Sequence, residues 1–156
     1  MAWTTPRDWV AGEVVLASQL NTHIRDNENY LFNVAETAWT DYSASTTLVG
    51  WSSTTIKKVF YRVEGKKIFF IFYIGGTSNA TSASFTLPNS IVDLIGGGSG
   101  WTIHIAAQDN GSNSIAANAL IGGGSPTITL YPSYVGSLWT ASGTKSVSGE
   151  GVGALA

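Results

Sequence analysis

The run Ile68-Phe69-Phe70-Ile71-Phe72-Tyr73-Ile74 constrains this chain more than any other feature. Its residues are all β-branched or aromatic, which favours a strand over a helix, and it falls far short of the ~20 apolar residues of a membrane span. Successive side chains of a strand point to opposite faces, so this strand is apolar on both. An antiparallel sandwich normally leaves one face of each sheet in water and shows alternation. Its absence here predicts that both faces are covered. A second sheet covers one, and a neighbouring subunit covers the other, which carries Phe69, Ile71 and Tyr73. The competing cover is a loop of the same chain.

The flanking sequence supplies the rest of a β fold. Ile56 to Val63 and Lys66 to Ile74 read as a hairpin joined at Glu64-Gly65, where glycine provides the positive φ of a tight turn. Thr46 to Trp51 precedes them. Ala83 to Leu87 stops at Pro88, and Trp101 to Ala107 and Ser114 to Ile121 flank the turn signal Asp109-Asn110-Gly111. Thr127 to Tyr131 ends at Pro132, Leu138 to Ala141 reads as an edge strand, and Lys145 to Glu150 closes the sheet. About eight strands at this spacing predict a mainly β fold, a jelly-roll-like antiparallel β-sandwich over residues 39-156.

Two elements precede it. Residues 1-16 hold Trp3, Pro6, Trp9 and Gly12 without helical periodicity and read as an extended docking arm. Two tryptophans are costly to leave in water, so the arm docks onto its own chain or onto a partner. Residues 17-38 read as a short helix with Ser18 as N-cap, because Gln19 to Glu36 contains neither Gly nor Pro. Leu20, Ile24, Asn27, Leu31 and Val34 form a heptad seam with one polar insert. The seam packs on the β domain or pairs with other copies as a short, possible trimeric coiled coil, and a lone Asn favours the second by fixing register. Fewer than three heptads do not hold chains together alone.

Composition narrows the function. The chain has 156 residues, 18 of them Gly, no Cys, 12% charged residues and a net charge of -2. No basic run exists to meet nucleic acid, and thiol chemistry is excluded. The only acids or bases between Lys67 and Lys145 are Asp93, His104 and Asp109. A surface this neutral is expected to be covered by neighbours or to face neutral ligands. The opening residues lack the basic and apolar regions of a signal peptide, so release by lysis is the expected route out of a cell; no membrane insertion is expected.

Catalytic material is thin. His23 and His104 lie on different elements and offer no metal-binding pair. Asp26 and Glu28, two apart on a helix, point in different directions. The glycine clusters at Gly96 to Gly100 and Gly122 to Gly124 lack the Lys-Ser/Thr pair of a phosphate loop and read as turns. No enzyme activity, metal or cofactor is expected. Tyr131, Tyr134, Trp101 and Trp139 occupy strand ends or loops where an aromatic face can stack on a sugar; the competing reading of each is core.

Two stretches carry a family resemblance. Trp3-Thr4-Thr5-Pro6-Arg7-Asp8-Trp9-Val10-Ala11-Gly12-Glu13-Val14-Val15 with Gln19-Leu20-Asn21-Thr22-His23-Ile24-Arg25-Asp26-Asn27 resembles the opening of tailed-bacteriophage virion proteins. The remainder, from Asp41 to Ser53, through Ser78 to Pro88, to Trp139 to Lys145, is similar to C-terminal modules of phage fibre-like proteins. The chain departs from that pattern at Gly149 to Ala156, which apart from Glu150 are small or apolar where an aromatic strand is the rule. The resemblance implies a virion structural protein, either a short homotrimeric tail fibre or spike or a capsid-decorating component, anchored to other virion proteins through the Trp3/Trp9 arm. The alternative it implies is a tip for host attachment that binds a host-surface glycan or protein.

Overall fold

The computed structural model describes residues 3–35, 37–91, 100–114, 117–133 and 137–155. The chain divides into two units, Met1–Ala38 and Trp39–Ala156.

In the first unit the helical stretch is built from α1 (Ala17–Leu20), a π-helical turn over Asn21–Arg25, and α2 (Asp26–Ala35). Ser18 lies inside α1, and Leu16 takes the N-cap position. Leucine has no capping oxygen; the Gln19 side chain instead reaches back to accept the Leu16 N–H at 2.9 Å. The arm is folded rather than extended throughout. Gly12 (φ 82) lets the chain turn so that Glu13 N–H meets Val10 carbonyl, while Glu13 also holds Arg7 at 2.6 Å.

The second unit is a two-sheet antiparallel sandwich. One sheet has six strands in the order β1 (Thr40–Asp41), β3 (Trp51–Glu64), β4 (Lys67–Ser78), β11 (Thr144–Ala154), β7 (Ala106–Asp109) and β8 (Ser112–Ser114). The other has five: β2 (Leu48–Val49), β5 (Ala83–Ile91), β10 (Ser125–Tyr131), β9 (Asn118–Ile121) and β6 (Trp101–His104). Pairing is nested, β4 with β11, β5 with β10, β6 with β9 and β7 with β8. The second and third pairs share a sheet.

Local chemistry explains the departures from the expected strands. Thr46 to Trp51 splits at Gly50 (φ 100), where the chain leaves the five-stranded sheet for the six-stranded one. The β3–β4 turn is Gly65-Lys66, since Glu64 already pairs with Lys67. β5 runs through Pro88 because β2 pairs only with Ser84 and Phe85 and the β10 register shifts alongside, so the missing N–H costs no regular ladder bond. Trp101 to Ala107 breaks at Ile105, whose N–H goes to Ala117 carbonyl. Asn110 (φ 47) and Gly111 (φ 82) form the β7–β8 turn that the sequence signals.

Leu138 to Ala141 is not a strand. Its backbone is held by other elements, Trp139 N–H on Thr81 carbonyl and Thr140 N–H on Asp109 Oδ2. The last strand, β11, is not at an edge either, because it lies between β4 and β7. Its small residues have a reason: Gly149 and Gly151 pair with Phe72 and Phe70, and a Cβ on Gly151 would run into the Phe70 ring while one on Gly149 would run into Ile105 and crowd the Phe72 ring.

The core lies between the sheets. Ile68, Phe70, Phe72 and Ile74 of β4 meet Phe85 and Leu87 of β5 and Ile128 and Leu130 of β10, all buried. Phe72 and Phe85, 4.7 Å apart at ring centres, join the two layers. Each such side chain contributes about 1.5–3 kcal/mol of transfer free energy.

Candidate functional site

The outer face of the six-stranded sheet is the most distinctive surface of the second unit. Along β4, Ile68, Phe70, Phe72 and Ile74 are buried, while Ile71 and Tyr73 stand in solvent at 36% and 48% exposure and Phe69 is half-buried. The described loops of the chain therefore leave this face open. The apolar run covers the core with one side and offers the other outward.

Directly paired residues share a face, so the ladder gives the rows of this surface. Arg62, Phe69 and Val152 form one; Phe60, Ile71 and Glu150 the next. Lys58, Tyr73, Ser148 and Ala106 come after them, and then Ile56, Gly75, Ser146, Gln108 and Asn113. The face thus changes along β4 from large apolar groups beside charges to small, neutral, polar ones, with Tyr73 at the boundary.

At the apolar end a groove of about 380 Å³ is lined by Trp39, Arg62, Phe69, Ile71, Ile103 and Val152, among others. The Arg62 guanidinium lies 5.1 Å from the ring centres of both Trp39 and Phe69 and is tied to Glu64 at 3.1 Å. Its Nε is buried with no partner among the described residues. Trp39 and Val152 remain exposed. Half-covered aromatic and aliphatic groups around a fixed guanidinium match the composition of protein interface centres.

The aromatics singled out as ligand-facing are placed elsewhere. Trp139 is a core residue, 2% exposed, whose Nε1–H donates to Leu130 carbonyl at 2.9 Å. An indole whose only polar atom finds a buried carbonyl has no reason to stay at the surface. Tyr131 is half-buried on β10 beside Asn118. The Trp101 side chain and Tyr134 lie outside the described residues.

Trp139 encloses one wall of a feature that sequence reasoning missed. Lys145 is fully buried, its Nζ donating to Gly50 carbonyl at 3.1 Å and Ala80 carbonyl at 3.0 Å, with Ser82 carbonyl at 3.5 Å. The rings of Trp51 and Trp139 stand 5.3 and 5.1 Å from it. The only signal for this cage is a lysine heading the last strand.

In the first unit the arm docks on its own helix. Asn27, 4% exposed, accepts from Thr4 N–H at 2.9 Å and donates to Thr4 carbonyl at 2.7 Å. Trp3 lies against Tyr30, and Trp9 sets its ring edge-on to His23. Asn27 is therefore engaged within its own chain. The π-helical turn accounts for this: one extra residue in a turn rotates all later positions by about 100°, so the line from Leu20 through Ile24 continues through Glu28 and Phe32. Leu20, Ile24, Leu31 and Phe32 are all exposed; the side chain of Val34 lies outside the described residues.

Among the described residues no three His, Cys, Asp or Glu side chains gather as a metal site, and no helix is long and apolar enough to cross a membrane. Comparison of the chain with family models, curated proteins and solved structures finds no match.

Proposed function

We propose that the chain is a non-enzymatic structural component of a bacteriophage virion, a homotrimer whose copies associate through the apolar end of the outer face of the six-stranded sheet. The observation that carries the self-association is the open apolar row of Phe69, Ile71 and Val152 on its central strands. The virion setting and the trimeric order rest on the resemblance of the N-terminal and C-terminal stretches to phage proteins. Trp3 and Trp9, docked on the helix yet 46% and 41% exposed, keep area free for another virion protein.

Magnitudes set the scale of the interface. Completing the burial of three half-covered side chains yields roughly 1–2 kcal/mol each, comparable with the lower range of the rigid-body cost of association, about 4 kcal/mol and upward. The row alone gives weak pairing. The Trp39–Arg62 groove has to be part of the contact for a stable assembly.

Particles purified from an infected culture test the setting. The chain should be present in them by antibody labelling, and Ile71→Asp, folded by circular dichroism, should be lost from them. A particle without the chain, or equal incorporation of the variant, contradicts the proposal.

A further inference from the structure

We infer that the polar end of the same outer face is a binding site for a neutral saccharide. A hollow of about 290 Å³ lies there, formed by Tyr73 of β4, Ala106 and Gln108 of β7, Asn113 of β8, and Ser146 and Ser148 of β11. Tyr73 presents an open ring at its edge, 48% exposed, and Ala106 leaves space in the row beside it. Gln108 Nε2 donates to Asn113 Oδ1 at 3.3 Å. That bond orients both amides and leaves Gln108 Oε1 and Asn113 Nδ2 without a partner among the described residues.

The lining selects the ligand class. None of its side chains is charged, so it offers nothing to pair with a phosphate, carboxylate or ammonium group. The hollow sits on the sheet face, where β4, β11 and β7 use their backbone groups in the ladder; the free edge of β8 lies in the plane of the sheet, so an extended peptide lying in the hollow finds no strand to pair with. A single ring beside two hydroxyls and two amides is too polar for a lipid or an aromatic ligand. A pyranose fits each group: its C–H face stacks on Tyr73, and adjacent hydroxyls donate to Gln108 Oε1 and accept from Asn113 Nδ2. An open, shallow site of this kind binds a single sugar with a Kd of roughly millimolar order.

The test is a titration of the full chain with D-glucose, D-galactose and N-acetyl-D-glucosamine, and with N-acetylneuraminic acid as the anionic control. It is read in proton–nitrogen correlation spectra of the side-chain amides of Gln108 and Asn113. At least one neutral sugar should shift both signals saturably, Asn113→Ala should weaken binding about fivefold, and Tyr73→Ala about tenfold. No saturable shift with any neutral sugar overturns the inference, as does binding unchanged in both variants or equal binding of the anionic sugar. The readout is local to β7 and β8, so it stands or falls separately from self-association.

Discussion

The Lys145 ammonium lies 5.1 Å from the ring centre of Trp139, and both side chains are buried. This pairing fastens the Trp139 segment and the β2–β3 and β4–β5 connections to the central strand β11, because the same ammonium donates to Gly50 and Ala80. Lys145→Met keeps the volume and removes the donors, leaving buried carbonyls unpaired. Urea denaturation should show a loss of about 1–3 kcal/mol.

The same group sets a pH dependence. Burial pushes Lys145 from its ordinary 10.5 down to about 8, with the Asp109 carboxylate opposing the shift. Below that value the ammonium is charged in both folded and unfolded chains, and its contribution is flat. Between about pH 8 and 10.5 the unfolded chain holds the proton that the folded chain has released, so stability rises with pH. Urea midpoints across this window should climb in the natural sequence relative to Lys145→Met.

Asn27 holds the arm. Asn27→Ala removes both bonds to Thr4, and Asn27→Asp keeps the acceptor while losing the donor. Amide exchange at Thr4 should speed up by about tenfold in the alanine variant, equivalent to about 1.4 kcal/mol, and by less in the aspartate variant. Trp3 and Trp9 fluorescence should shift to the red in parallel.

Much of the second unit is legible in the sequence. The two-faced run at Ile68 to Ile74, the Asn110-Gly111 turn and the β3–β4 hairpin come from strand-forming residue types and turn chemistry, which are local. The illegible parts depend on distant partners. Trp139 reads as a loop aromatic because no local pattern shows that it is roofed by the Leu130 carbonyl and by the Lys145 ammonium, whose other partners, Gly50 and Ala80, are far away in sequence. Gly149 and Gly151 read as a featureless end, yet they make room for Ile105 and for the rings of Phe72 and Phe70, which lie far earlier in the chain. Asn27 turns to Thr4 of the arm because a single π-helical turn shifts every later position of the helix, and a residue pattern alone does not reveal it.

Self-association is tested by the native mass of the purified chain at micromolar concentration, taken beside Ile71→Asp. The natural sequence should be a trimer and the variant a monomer of unchanged circular dichroism. A natural sequence that stays monomeric, or a variant that assembles equally well, would contradict the proposal.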